Sequence, residues 1–136
     1  MITTASVLTL ALAKALGVYM IAAGLSGLFA PERWRVILDG LRASPALVYI
    51  AGVFTFALGT AIVMAHPLWT DPLAIVVTLL GWAAAIEGVV LIAKPDPLLD
   101  LGGSLLRAGA ARAYAIVAMV AGVVLLIAGL IGRVGL

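Results

Sequence analysis

Four stretches of about twenty residues, almost free of charge, constrain this chain more than any other feature. They cover residues 6–29, 45–65, 73–93 and 113–132 and hold only two formal charges, Lys14 and Glu87. A hydrocarbon layer about 30 Å thick is crossed by roughly 20 residues rising 1.5 Å each. These lengths exceed any usual strand, and the alternation of polar and apolar residues that a membrane barrel needs is absent. In lipid every backbone polar group must be satisfied within the segment, so the four stretches read as helices. The fold class expected is an all-α integral membrane protein with four transmembrane helices in a single domain, residues 1–136.

Composition supports this against a soluble alternative. The chain is 65% hydrophobic and 10% charged, whereas soluble domains run near 45–50% and 25%. A net charge of +2 is too small for a nucleic-acid surface. There is no cysteine, hence no disulfide, thiol nucleophile or thiolate metal site. The first residues carry no Lys or Arg before Lys14, unlike the basic start of a secretory signal, so the opening segment reads as the beginning of the first span.

Prolines and charges punctuate the spans. Pro31-Glu32 and Pro95-Asp96 follow the first and third, and Pro45, Pro67 and Pro72 sit at other ends. The two longer links carry Arg33, Arg35, Arg42, Lys94, Arg107 and Arg112; the link at residues 66–72 carries no Lys or Arg. Only Lys14 and Arg133 lie toward the opposite side. The positive-inside rule then places both longer links in the cytoplasm and both termini outside, in the setting of a bacterial cytoplasmic membrane. Trp34 and Trp69 suit interfacial anchoring.

The first longer link has helical periodicity. Trp34, Ile37, Leu38 and Leu41 share one face, and Arg35, Asp39 and Arg42 another, as in a short amphipathic helix at the headgroups. It reads as a connector; the functional alternative is a lipid- or partner-docking surface with Arg reaching phosphates. The second longer link repeats the theme with Leu98, Leu101 and Leu105, and Gly102-Gly103 is expected to break or hinge it.

An internal repeat is the most specific pattern. Shifted by 64 residues, the first span overlays the third: Leu16 on Leu80, Gly17 on Gly81, Gly24 on Gly88, Pro31 on Pro95 and Glu32 on Asp96. Shifted by 70, the second overlays the fourth: residues 51–53 on 121–123, Gly52 on Gly122 and Gly59 on Gly129. This predicts two tandem, parallel helical-hairpin repeats, about 6–65 and 73–133, related by an axis along the membrane normal. Residues seven apart lie on one helix face. Within lipid, close backbone approach across small residues drives association. Gly17, Gly24, Gly52, Gly59, Gly81, Gly88, Gly122 and Gly129 are therefore the expected packing residues. The pairs Ala23/Gly27, Ala84/Gly88, Ala118/Gly122 and Ala128/Gly132 add further small-residue spacing.

Glu87 is the leading candidate for chemistry, because an intramembrane carboxylate is costly and usually faces a bundle interior or a water-filled cavity. The structural alternative is pairing with Arg107 or Arg112. Lys14 reads as snorkelling toward the outer headgroups. It differs from Glu87 in depth by about 13 Å at 1.5 Å per residue, too far for a direct bond. His66 beside Pro67 reads as part of a solvated turn; with Asp71 the alternatives are a metal ligand or a pH sensor. Tyr19, Tyr114, Thr55, Thr60 and Thr78 read as packing or interface residues. No catalytic set, metal cluster or cofactor motif is visible. The expectation is a non-enzymatic structural or accessory subunit, a homo-oligomer or part of a larger membrane complex. The alternative is a small oligomeric transporter or channel for a proton, cation or small solute using Glu87. The partner common to both is the lipid bilayer; nucleic acid is excluded, and no cofactor or metal is expected.

Overall fold

The computed structural model describes residues 3–4, 6–107 and 110–135, with the side chain of Arg107 outside the described set. Six helices follow one another: α1 (Val7–Phe29), α2 (Pro31–Ala43), α3 (Pro45–Ala65), α4 (Pro72–Ala93), α5 (Asp96–Arg107) and α6 (Ala111–Ile131). The long four, α1, α3, α4 and α6, are each long and apolar enough to cross a membrane. Two short strands, β1 (Thr3–Thr4) and β2 (Arg133–Val134), pair in parallel and tie the two ends of the chain together.

Local chemistry sets the helix starts. Ser6, Ser44 and Asp71 stand at the N-caps of α1, α3 and α4 in extended conformation, and their side chains accept from the amides of Thr9, Leu47 and Ala74. Each supplies a partner to an amide that the helix itself leaves unpaired. Proline follows at the first turn of α2, α3 and α4, where its missing N–H removes no intrahelical bond.

Link length decides which helices lie side by side. The few residues between α3 and α4 return the chain directly, and these two pack along their length. The 13 residues of α2 span about 20 Å, twice the 8–10 Å between packed helix axes. So α2 carries the chain past the adjacent position, α5 does the same, and α1 comes to lie along α6. The bundle is thus two antiparallel pairs, α1/α6 and α3/α4, each combining one helix from either proposed hairpin. Between pairs contact is sparse and mainly α1 with α4.

Two apolar clusters hold the ends. Near the end that carries the termini, hereafter the terminal end, Ala13, Ile62, Leu73, Val77, Leu125 and Ala128 pack together. At the opposite end Val48, Leu91 and Leu99 meet Leu38 and Leu41 of α2. The expected break at Gly102-Gly103 does not occur: α5 runs continuously through both glycines. A Cβ on Gly102 would meet Leu38 at 3.7 Å, so the second amphipathic helix packs against the first there, and tertiary contact overrides glycine's weak helix preference.

Candidate functional site

At the terminal end a buried cluster of chemically capable polar side chains converges. His66 closes α3 and caps it with its own amide, which donates to the Ile62 carbonyl at 2.8 Å. The imidazole is fully buried, as are the side chains of Thr4, Thr9 and Thr78. Nε2 lies 2.6 Å from Thr9 Oγ1 on α1, and Nδ1 lies 3.0 Å from Thr78 Oγ1 on α4. One ring therefore joins three helices and bridges the two pairs.

One assignment of hydrogens satisfies the ring and both carbonyls together. Thr78 has a single hydroxyl hydrogen, which it directs to the carbonyls of Leu68 at 2.8 Å and His66 at 3.0 Å. Its oxygen can then only accept from the ring, so Nδ1 carries the hydrogen. In the neutral imidazole Nε2 accepts from Thr9 Oγ1–H. Thr9 Oγ1 accepts in turn from Ser6 at 3.0 Å. The order is Ser6 to Thr9 to His66 to Thr78 to backbone carbonyl. No buried side-chain polar atom among the described residues lacks a partner, as buried polar groups require.

Asp71 forms the second half of the cluster. Oδ1 accepts from Thr4 Oγ1 at 3.0 Å and Thr70 Oγ1 at 3.2 Å, and Oδ2 from the Ala74 amide at 3.2 Å. Thr4 lies on β1, so this carboxylate ties the paired termini to the start of α4. Beside it an apolar cavity of about 670 Å³ opens between α1, α4 and α6, with Met20, Val76, Leu80 and Val124 among its walls. Among the described residues no group of three or more His, Asp or Glu side chains is placed to hold a metal ion.

His66 corrects the sequence reading of a solvated turn, because the approach of α1 to the α3–α4 link covers the ring completely. Thr9 and Thr78 drew no functional reading at all. The signal available was depth: Thr9 opens the first span, His66 closes the second and Thr78 begins the third, so all three share one membrane level.

The charged candidates lie elsewhere. Glu87 is exposed on α4, on the same helical side as the cavity-lining Val76 and Leu80, and forms no ion pair among the described residues. The expected pairing with Arg112 is not made; Arg107's side chain lies outside the described residues. Lys14 is exposed on α1, with its stem over Gly129: a Cβ on that glycine would sit 2.7 Å from Lys14 Cγ. Lys14 and Glu87 do not meet. At the other end Arg33 and Arg112 are exposed. Arg35 lies 3.7 Å from Glu32, and Arg42 reaches Asp100 at 3.0 Å and the Leu99 carbonyl at 2.8 Å, joining α2 to α5.

The glycines line the helix pairs. A Cβ on Gly17 would lie 2.7 Å from the Gly122 carbonyl oxygen, and one on Gly122 would lie 2.7 Å from that of Gly17. Gly24 faces Ala115 and Met119, and Gly129 faces Leu10 and Lys14. Across the other pair Gly59 faces Gly81, Ala84 and Ala85; Gly81 faces Ile62; Gly88 faces Phe56; and Gly52 faces Leu91 and Ile92. All eight face the partner helix of their own pair. No family model matches the chain, and no curated protein or solved structure matches it either. The four helices long and apolar enough to cross a membrane are compatible with a small membrane protein.

Proposed function

We propose that the chain is a structural or accessory subunit of a larger membrane assembly, held laterally through the face of α4 that carries Glu87. The position of Glu87 carries this reading. An acidic side chain within a span is costly, and nothing described in this chain covers it. A neighbouring helix offering a hydrogen-bond donor or a cation at that depth removes the cost. The glycine faces are already occupied within the chain, so a neighbour has to use a different face. Exposed Val76 and Ala83 on the Glu87 side of α4, with Leu79 beside them, supply one.

Native mass spectrometry from mild detergent tests the reading. The wild type is expected to retain a second copy or a co-purifying membrane chain. Glu87→Gln, still able to hydrogen-bond, keeps it; Glu87→Leu loses it. A wild type that stays monomeric and brings no partner overturns the proposal. The second reading, an oligomeric transporter or channel, is favoured only in the form its exposure allows, with Glu87 on a path between copies. It requires that Glu87→Gln abolish proton or cation flux in proteoliposomes while assembly persists.

The orientation with both longer links cytoplasmic and the termini outside belongs to the same proposal and rests on the distribution of Lys and Arg. So does an origin by hairpin duplication. Exchanging α1 with α4 and α3 with α6 turns the α1/α6 pair into the α4/α3 pair, the two-fold relation expected of parallel repeats. The registers have diverged: Gly17 meets Gly122, whereas its counterpart Gly81 meets Ile62 and not Gly52.

A further inference from the structure

We propose that His66 is a proton-operated latch: neutral, it holds α1 against the α3/α4 pair, and on protonation it releases α1 and opens the apolar cavity beside it. The latch is placed where the two pairs have little else in common. Their contacts are sparse, and at the terminal end the polar ties between them include Thr9 to His66 and Thr4 to Asp71. The cavity of about 670 Å³ between α1, α4 and α6 lies beside these ties and shares Asp71 with them.

The hydrogen-bond order supplies the switch. With Nδ1–H committed to Thr78, a second proton can enter only at Nε2, the atom that accepts from Thr9. The Thr9 hydroxyl must then turn its own hydrogen away from the ring and lose it as a donor to Nε2. The chain ends on the backbone carbonyls of His66 and Leu68, so a proton arriving there has no onward path. The arrangement is a latch and not a conducting wire. A cation formed on a fully buried ring needs a bonded counter-ion or water. Both of the ring's bonds go to threonine hydroxyls. The charged groups on the surrounding elements are Lys14 on α1, Asp71 at the start of α4, Glu87 in its far half and Arg133 on β2; α3 contributes none. Asp71 is engaged with Thr4, Thr70 and the Ala74 amide. Water reaches the ring once α1 moves away, so a cation on it is solvated in the open arrangement and not in the closed one, and acid favours opening.

Two features of the chain make the test direct: it has one histidine and no cysteine. Full-length protein in phosphatidylcholine nanodiscs, labelled with ¹⁵N-histidine, gives a single pair of ring resonances. At pH 8 the unprotonated nitrogen is expected to be Nε2. Spin labels on cysteines introduced at Leu79 of α4 and Leu130 of α6, both exposed, report the separation of the two pairs. The separation is expected to grow between pH 8 and pH 5 with the midpoint of the ring titration, and to stay constant in His66→Gln. Thr9→Val preserves shape and removes the donor to Nε2, so it moves the midpoint upward by about one pH unit, the equivalent of one hydrogen bond. That variant decides the matter if His66→Gln does not fold. A ring that titrates with no change in separation, a His66→Gln protein that still opens, a midpoint unmoved in Thr9→Val, or a resting Nε2–H form each overturns the proposal.

Discussion

Replacing Gly122 with alanine adds one methyl group where α6 meets α1. That methyl would lie 2.7 Å from the Gly17 carbonyl oxygen and 2.9 Å from the Ile21 amide nitrogen, whereas ordinary contact begins at 3.4 Å. The nearest obstruction is backbone, so no rotamer change relieves it. The helices must part locally by about 0.7 Å, and a gap of 0.5–1 Å forfeits about a quarter to a half of the dispersion energy of the atoms along it. Overpacking of this kind costs about 1–3 kcal/mol. Alanine's better helix preference returns about 1 kcal/mol, for a net loss of roughly 0–2 kcal/mol. Gly40 on α2 is the control, because a Cβ there meets nothing within 4 Å. The same substitution at Gly40 is expected to stabilise by about 0.4–1 kcal/mol. Reversible unfolding in mixed micelles, followed by circular dichroism, compares the two variants. A Gly122→Ala protein as stable as Gly40→Ala would refute the argument that backbone approach holds the pair.

Thr78→Val leaves the Nδ1–H of His66 and two carbonyls without their partner, and is expected to cost about 1–3 kcal/mol in the same assay. Thr70→Val removes an exposed donor to Asp71 and is expected to stay within about 0.5 kcal/mol of wild type. Arg42→Ala breaks a half-exposed link to Asp100; its cost, at most about 1 kcal/mol, should shrink as salt is raised. Cysteines introduced singly at Thr70 and Ala43 report orientation: a membrane-impermeant thiol reagent applied to intact cells should label Thr70→Cys and spare Ala43→Cys. The reverse pattern would invert the proposed topology.

The spans were legible because hydrophobic length is a property of sequence alone. The stretch read as residues 45–65 is the helix Pro45–Ala65, and the other three begin or end within two residues of their helices. The amphipathic first link was legible for the same reason of periodicity. The state of Gly102-Gly103 was not, since it depends on Leu38 arriving from α2. His66 was misread because its burial comes from α1, more than fifty residues away. Glu87 was expected to face an interior. Its exposure follows from the rotation of α4: Gly81 and Gly88 turn toward α3, and Glu87 falls on the side of Val76 and Leu80, where contact between the pairs is sparse.

The lengths of the links explain why the pairs cross the repeat. A hairpin whose link is itself a helix of about 20 Å cannot bring its own spans together, because packed axes stand 8–10 Å apart. Each proposed repeat is such a hairpin, so neither can bury its glycine face alone. The short link between α3 and α4 joins one helix from each repeat and makes the first close pair. The two outer helices are then left with each other, and the termini they carry meet as β1 and β2. Glycine contacts occupy the interior of each pair. The seam between pairs is left to the apolar clusters, the α2–α5 bridge at Arg42 and the ring of His66. That division makes the seam the softest part of the fold, and a perturbation of His66 should therefore separate the pairs before it disturbs either one.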